Sequence, residues 1–397
     1  MSDSVIIAGA GPAGCAAALY LAQNDIPVTL LEGQATLPLD LRASTFHPPT
    51  LDMLATLGVT QKLIPQGLVA PTYQYRDRRS GDAAIFDLGL LKGETDHPFR
   101  LQVEQFKMTQ LICDMLEEYP HADVRFSRQV IGFRQDDKGV RVLAFGDGDE
   151  EVFEGSYLIG ADGANSRVRQ SMAVLYDGFT YPEKFLVVST TVDFAEKWPN
   201  LCHVNYVSDP EEWCVLLRTP SVWRVLIPTG PEHSDEKVLS DEFIQDRLQH
   251  LEPLDGEYPV IHRTLYKVHQ RVAETYRVGR TLLAGDSCHI NNPLGGMGMN
   301  GGIHDAFNAA EKLTSIIRDG ASDDLLDRYD RQRRQLAVQF VQEHTIRNKE
   351  LIEAHDENAQ AKMMEKYKRL AADPVAAKEL LMTTSMIEVL RETEKVQ

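Results

Sequence analysis

Long hydrophobic runs are missing from this chain: none of its 397 residues lies in a stretch of the ~18 consecutive apolar positions needed to cross a bilayer. Cysteine is scarce. Cys15, Cys113, Cys202, Cys214 and Cys288 form no C-x-x-C pair and leave one over in any pairing scheme, which argues against a disulfide framework. They read as small buried hydrophobes of a reduced, cytoplasmic protein. No His, Cys and carboxylate cluster has metal-ligand spacing, so no metal is expected, and His262 and His269 stand alone as structural residues. Positive charge is also in deficit. Lys and Arg number 41 against 59 Asp and Glu, and a net charge of −18 repels nucleic acid and anionic membrane surfaces alike. The N-terminus lacks a basic start and a cleavage region, so no targeting peptide is expected. What remains, 43% apolar and 25% charged residues, is the composition of an ordinary globular protein, long enough to bury about three quarters of its unfolded surface.

The first positive signal is at the start. Ser4 to Ala8 (SVIIA) is a continuous apolar run, as a strand buried on both faces should be. It leads into GAGPAG (Gly9, Ala10, Gly11, Pro12, Ala13, Gly14), then an alanine- and leucine-rich helix, then the strand Pro27 to Leu31 ended by Glu32. Strand, glycine turn, helix, strand and acid together make a dinucleotide-binding fingerprint. Gly9 makes the tight turn, Gly11 lets the backbone approach a pyrophosphate, and Gly14 lets helix and sheet pack closely. The helix N-terminus offers free N–H groups and a positive dipole end to phosphate. Glu32 is placed to accept hydrogen bonds from a ribose.

Gly296, Gly298 and Gly301 in GGMGMNGG formally repeat the spacing, but they follow a polar loop, Asn291-Asn292-Pro293, instead of a strand. They belong to a larger pattern. Val278 to Ala284 reads as a strand ending in Gly285-Asp286, with a glycine loop from Pro293 to Gly302 and a helix expected from Ile303. Asp286 is placed to hold a polyol hydroxyl, and the helix end faces an anionic atom. A third motif, YLIGADGANSRVR from Tyr157 to Arg169, is a strand running into Asp162-Gly163 and a basic stretch.

In this order the motifs resemble the class A flavoprotein monooxygenases, the p-hydroxybenzoate hydroxylase family. The resemblance implies an α/β fold: a Rossmann-like FAD-binding domain (1–72, 98–175 and 270–320) interleaved with a mostly antiparallel β-sheet substrate domain (73–97 and 176–269), plus a C-terminal helical segment (321–397). It implies FAD as cofactor and NADH or NADPH as reductant. Arg42 would contact the FAD pyrophosphate, and Gln102 would hydrogen-bond the same cofactor. Asp162 and Gly163 would serve both FAD and NAD(P)H, Asp286 would hold the ribityl chain, and Gly295, Gly298, Met299 and Asn300 would lie by the flavin ring. Reduced flavin would take up O2 as a C4a-hydroperoxide and pass one oxygen to an aromatic or heteroaromatic ring, the protein excluding water.

Short β-rich stretches at 185–192, 202–207, 213–218, 222–227 and 260–268 supply the antiparallel sheet, while Arg76-Asp77-Arg78-Arg79 reads as a solvated turn. By the same resemblance Arg218 would pair with a substrate carboxylate. Tyr206, twelve residues before it, would orient the ring, and Pro293 would border it through its carbonyl. Three rivals are weighed. A flavin halogenase carries W-x-W-x-I-P, whereas WRVLIP at Trp223 to Pro228 lacks the second tryptophan. An epoxidase or Baeyer–Villiger enzyme would use the same residues. A GDP-dissociation-inhibitor-like binding protein would not need the Gly285-Asp286 loop. A homodimer is left open.

Overall fold

The computed structural model describes residues 3–39, 43–338 and 357–397. Buried on both faces, Val5–Ala8 can only sit mid-sheet, and it does: it pairs in parallel with Val28–Leu31 on one side and Tyr157–Gly160 on the other. Ala122–Arg125 and Thr281–Leu283 extend this sheet, and an antiparallel turn back to Arg277–Val278 closes its edge to make six strands. Helix Pro12–Gln23 covers the sheet and is itself flanked by Gln105–Leu116 and the long helix Met297–Asp319. One core cluster joins the strands to these helices, from Ile6, Leu30 and Ile159 to Leu19, Ile112 and Leu313.

The β-rich stretches form the second layer, an eight-stranded sheet built on two long strands, Tyr176–Thr190 and Val260–Ala273, paired antiparallel. Trp223–Thr229, Cys214–Arg218 and Val204–Ser208 follow in antiparallel register, then Thr72–Asp77, parallel, and Ala83–Asp87 at the edge. Side chains alternate between two cores. Val187, Tyr206, Val215 and Leu226 face one way, while Val188, Val207, Leu216 and Val225 face the other, under helix Asp241–Leu251. A separate three-stranded antiparallel sheet, Gln129–Asp136, Gly139–Gly146 and Asp149–Gly155, has no counterpart in the sequence expectations.

Two local expectations are corrected. The helix expected from Ile303 begins at Met297, inside the glycine loop. Glycines normally weaken a helix, but here they permit contact: a side chain at Gly302 would put its first carbon 2.9 Å from the Gly285 Cα. The run Arg76 to Arg79 is not simply solvated. Arg76 is buried, with its guanidinium 5.5 Å from the Trp198 ring, Arg78 donates to the His250 carbonyl, and Arg79 pairs with Asp209 and Glu211.

Candidate functional site

The glycine turn after Val5–Ala8 is built for close approach. A side chain at Gly14 would place its first carbon 1.9 Å from the Gly9 carbonyl oxygen, so the helix can seat on the turn only because position 14 is glycine. At Gly11 such a carbon would meet nothing within 4 Å. That open space lies before a helix whose N-cap, Gly11, has no side-chain hydrogen bond and whose first residue, Pro12, has no N–H. The amides of Ala13 and Gly14 have no acceptor within the helix. Glu32 stands at the rim, one carboxylate oxygen accepting from the Ala10 N–H and the other from the Gln34 N–H, both at 2.9 Å.

Arg42 lies outside the described residues. The segment after it forms a wall of the site. Thr45–Phe46 pairs antiparallel with Arg100–Gln102, and the Thr45 hydroxyl donates to Gln102 Oε1 at 3.1 Å. Gln102 is fully buried, yet its Nε2 has no hydrogen-bond partner among the described residues. A buried donor left open costs on the order of 1–3 kcal/mol, so it points to a ligand acceptor.

The two acidic turns are tied together by Arg169, expected only as part of a basic stretch and given no role there. Asp162 Oδ2 accepts from the N–H groups of Arg167 and Val168, while its Oδ1 is buried with no hydrogen-bond partner among the described residues. Burial pushes this carboxyl up from its ordinary value, against the pull of its hydrogen bonds. Gly163 follows at φ +77°. Arg169 donates to the carbonyls of Ser287 and Ala164, both at 2.8 Å, and lies 3.9 Å from the centre of the Tyr176 ring, whose hydroxyl reaches the Asp286 carbonyl. The side of Asp286 is exposed. Only the basic stretch of the YLIGADGANSRVR motif hinted at Arg169.

Behind Gly285 sits a buried polar network. Asp305 Oδ2 accepts from the Gly285 N–H at 3.1 Å and contacts His289 Nε2 at 2.8 Å; Oδ1 takes the Arg333 Nε–H at 2.5 Å. Arg333 also donates to the Gly301 carbonyl. Cys288, His289 and Asp305 thus gather ligand atoms within 4.8 Å, a cluster that linear spacing did not reveal. Its carboxylate already neutralises the Arg333 guanidinium, and that charge opposes a second cation.

Gly295 and Gly296 turn the chain at φ +97° and +66° into the first helical turn, which carries Gly298, Met299 and Asn300. Asn300 is a clip. Its Nδ2 donates to the carbonyls of Thr45 and Gly296, and its Oδ1 accepts from the His47 N–H. His47 Nε2 meets the Gly295 carbonyl at 2.8 Å.

Between this loop and the eight-stranded sheet is a small cavity of about 30 Å³, lined by Thr45, Tyr206, Leu217, Leu226, Pro293 and Gly295 among others. Tyr206 faces it and stacks on Tyr75 at 5.1 Å, which stacks in turn on Tyr367 at 4.1 Å. Arg218 is not brought to this cavity. It alternates with Leu217 and so lies on the opposite face, 3.8 Å from Asp193 and 5.7 Å from the centre of the Trp223 ring. A one-residue difference in a strand exchanges the faces. On the cavity side sits instead Arg224, buried and donating to the Ser44 hydroxyl at 2.9 Å. Sequence reasoning also passed over His47 and Arg100, since a lone basic residue in an apolar stretch carries no motif.

An open helix N-terminus with the Asp162 turn packed against Gly9, and a buried amide donor on the Thr45 wall, fit a bound FAD. Residues 3–344 match the FAD binding domain family. The chain is 30% identical over 398 residues to para-nitrophenol 4-monooxygenase of Pseudomonas sp. (strain WBC-3), covering 99% of this chain and 98% of that one. It is 32% identical to 6-hydroxy-3-succinoylpyridine 3-monooxygenase of Pseudomonas putida (strain DSM 28022 / S16), covering 86% of each. The crystal structure of p-nitrophenol 4-monooxygenase from Pseudomonas putida DLL-E4 superposes with a TM-score of 0.92 at 28% identity, over 97% of this chain and 98% of that one. Fold, site and relatives agree, and the chain belongs to the class A FAD-dependent aromatic monooxygenases.

Proposed function

We propose that the substrate is a phenol or hydroxylated pyridine of one ring, seated between the 293–296 loop and the sheet face that carries Tyr206. The observation that carries this reading is the cavity itself. Its walls are apolar (Leu217, Leu226) but for the Thr45 hydroxyl, the Tyr206 phenol and backbone polar groups. That lining suits a flat ring with one polar substituent. Relatives named for a nitrophenol and a hydroxypyridine support the same size class. At about 30 Å³ the cavity has room for a water, whereas an aromatic ring needs a cavity on the order of 150 Å³. Ring entry therefore requires the loop and the leucines to move apart.

The cofactor, when bound, supplies the reduction of dioxygen and the transfer of one oxygen atom, with NADH or NADPH as electron source. The chain's residues hold and screen it. Gly9, Gly11 and Gly14 with the helix amides hold the pyrophosphate, Glu32 the adenosine ribose, and Gln102 and Asp286 the middle of the molecule. The amides of Gly298, Met299 and Asn300, in the first turn of the long helix, would hold the anionic edge of the ring system, where the helix dipole favours negative charge. Tyr206, fixed by its stack on Tyr75, orients the substrate ring, and Pro293 borders it. The test is NAD(P)H consumption with a panel of phenols and hydroxypyridines, 4-nitrophenol included, under labelled dioxygen. One labelled oxygen in the product is expected. Oxidation that no compound stimulates, with no label incorporated, overturns the reading.

A further inference from the structure

Arg100 has no role in anything described so far. It is among the largest fully buried side chains, at 2% exposure, in the strand Arg100–Gln102. Its guanidinium lies 4.4 Å from the centre of the Tyr73 ring. Its Nε and Nη1 are buried with no hydrogen-bond partner among the described residues, and no carboxylate there pairs with it. An arginine is permanently charged and carries five donors, so burying it unpaired is costly. Such a group is retained where an anion arrives to pair with it.

Its position says where that anion comes from. Arg100 is two residues before Gln102 and on the same strand face. Gln102 bonds Thr45, which lines the cavity. Tyr73, against which Arg100 packs, lies edge-on to Tyr206 at 6.2 Å, and Tyr206 lines the cavity too. On the neighbouring strand, the residue after Phe46, which pairs with Leu101, is His47, and its Nε2 is on Gly295 of the cavity loop. A carbonyl can only accept, so Nε2 of His47 carries a proton. Burial and the Arg100 charge both hold the imidazole well below its ordinary value. Among the described residues, the groups set against Arg100 are thus a neutral imidazole and the Tyr73 phenol, which burial pushes up to about 12 and keeps protonated. Neither neutralises it.

We propose that Arg100 is the anchor for the substrate's ionised oxygen: it holds a phenolate at the cavity's edge and makes the site select the ionised form of the ring. This rests on the phenolic substrate proposed above. The consequence is chemical as well as positional, because an ionised phenol is a more electron-rich ring than its neutral form and accepts electrophilic oxygen more readily.

The test uses the full-length FAD-loaded enzyme with 4-nitrophenol, whose ionised and neutral forms absorb at different wavelengths, so the bound form is read directly. In wild type, binding should favour the ionised form and show its band at a pH where the free phenol is mostly neutral. Arg100→Met should weaken nitrophenol binding about 10- to 100-fold, the value of a lost charge-assisted hydrogen bond, and abolish that band. Arg100→Lys should restore part of both. FAD affinity should be unchanged. Melting temperature separates anchoring from architecture, since removing a buried charge with no carboxylate partner among the described residues should leave stability unchanged or raise it in the Met variant. Unaltered nitrophenol affinity and band in Arg100→Met overturn the anchor, and so does a loss confined to FAD affinity. A melting temperature that falls in both variants with no change in the bound form makes Arg100 structural. Failure of the wild type to hydroxylate any phenol would instead overturn the reading on which the anchor rests.

Discussion

Gly11 and Gly14 stand three residues apart in one turn, yet the same substitution asks a different question at each. Gly11 has φ −72° and ψ −179°, which alanine adopts freely, and an added methyl meets no protein atom within 4 Å. Gly11→Ala should therefore leave the FAD-free protein within about 1 kcal/mol of wild type, with loss of the better N-cap residue set against a less flexible unfolded chain. Its cost should fall on FAD affinity, because the methyl would take up the open space proposed above for the pyrophosphate. Gly14→Ala meets the backbone oxygen of Gly9 at 1.9 Å, which no rotamer can relieve, and should lose about 1–3 kcal/mol of stability with or without cofactor. Thermal unfolding of the FAD-free proteins beside FAD titrations would separate the two. Equal destabilisation by both would mean that Gly11 serves the fold and not the ligand. The same scale shows what sequence could carry. A glycine's packing reason is local, so the turn at Gly9 and the close approach at Gly14 were legible. Arg218 was not, because its assignment depended on the parity of a strand, and the residue before it, Leu217, is the one facing the cavity.

The helix Met297–Asp319 does more than present an N-terminus. Asn300 binds it to the Thr45–His47 wall, His304 Nε2 meets the Thr50 hydroxyl at 2.8 Å, and Asp305 holds Gly285 and Arg333. Burial pushes the Asp305 carboxyl up, but Arg333 and His289 outweigh it and hold it down to about 2, below its ordinary 3.8. A folded-state value below the unfolded one contributes stability that is full above about 4 and is lost as pH falls toward 2. Burial, with Arg333 adding to it, lowers the His304 imidazole from 6.5 to about 3, so it is neutral in the fold. Its share is present above 6.5 and lost on acidification toward 3, because only the unfolded chain takes up the proton readily. His304→Gln should flatten the decline in urea midpoint between those limits, and an unchanged acid slope would put its origin elsewhere. Asp305→Asn should cost about 3–5 kcal/mol, since it strands a buried guanidinium, and should weaken FAD through the freed Gly285 turn. Little of this network was readable beforehand. Asp305, His289 and Arg333 come from three elements and share no motif.

At the scale of the whole molecule, the parallel sheet, its crossover helices and the antiparallel layer were legible because burial on two faces, alternation and helical periodicity leave separate marks on sequence. The three-stranded sheet at 129–155 left a weak one, its outer strand Asp149–Gly155 being largely exposed and charged. How the two layers are fastened is a tertiary fact. Among the described residues the C-terminal segment does part of it. Helix Pro374–Thr384 places Ala377 and Leu381 in the core of the large antiparallel sheet with Tyr73, Leu88 and Leu91. Helix Ile387–Lys395 puts Val389 beside Met386, Leu336 and Met297, at the start of the helix that carries Gly298 and Asn300. Arg328 and Gln332 donate to the Val396 carbonyl, and Lys378 and Arg391 both pair with Glu94. The surface ion pairs contribute little, being screened by solvent. The buried Leu, Ile, Val and Met side chains contribute on the order of 1.5–3 kcal/mol apiece. A chain shortened to end at Ala372 should therefore lose far more than its ion pairs. Calorimetry should show one transition for the full chain and two for the shortened one, the antiparallel layer melting first and FAD shifting only the second. Charge-reversal of Glu94 should leave one transition, lowered by a degree or two, since only exposed pairs are lost. If Glu94→Lys divided the transition as truncation does, electrostatics and not apolar packing would be joining the layers.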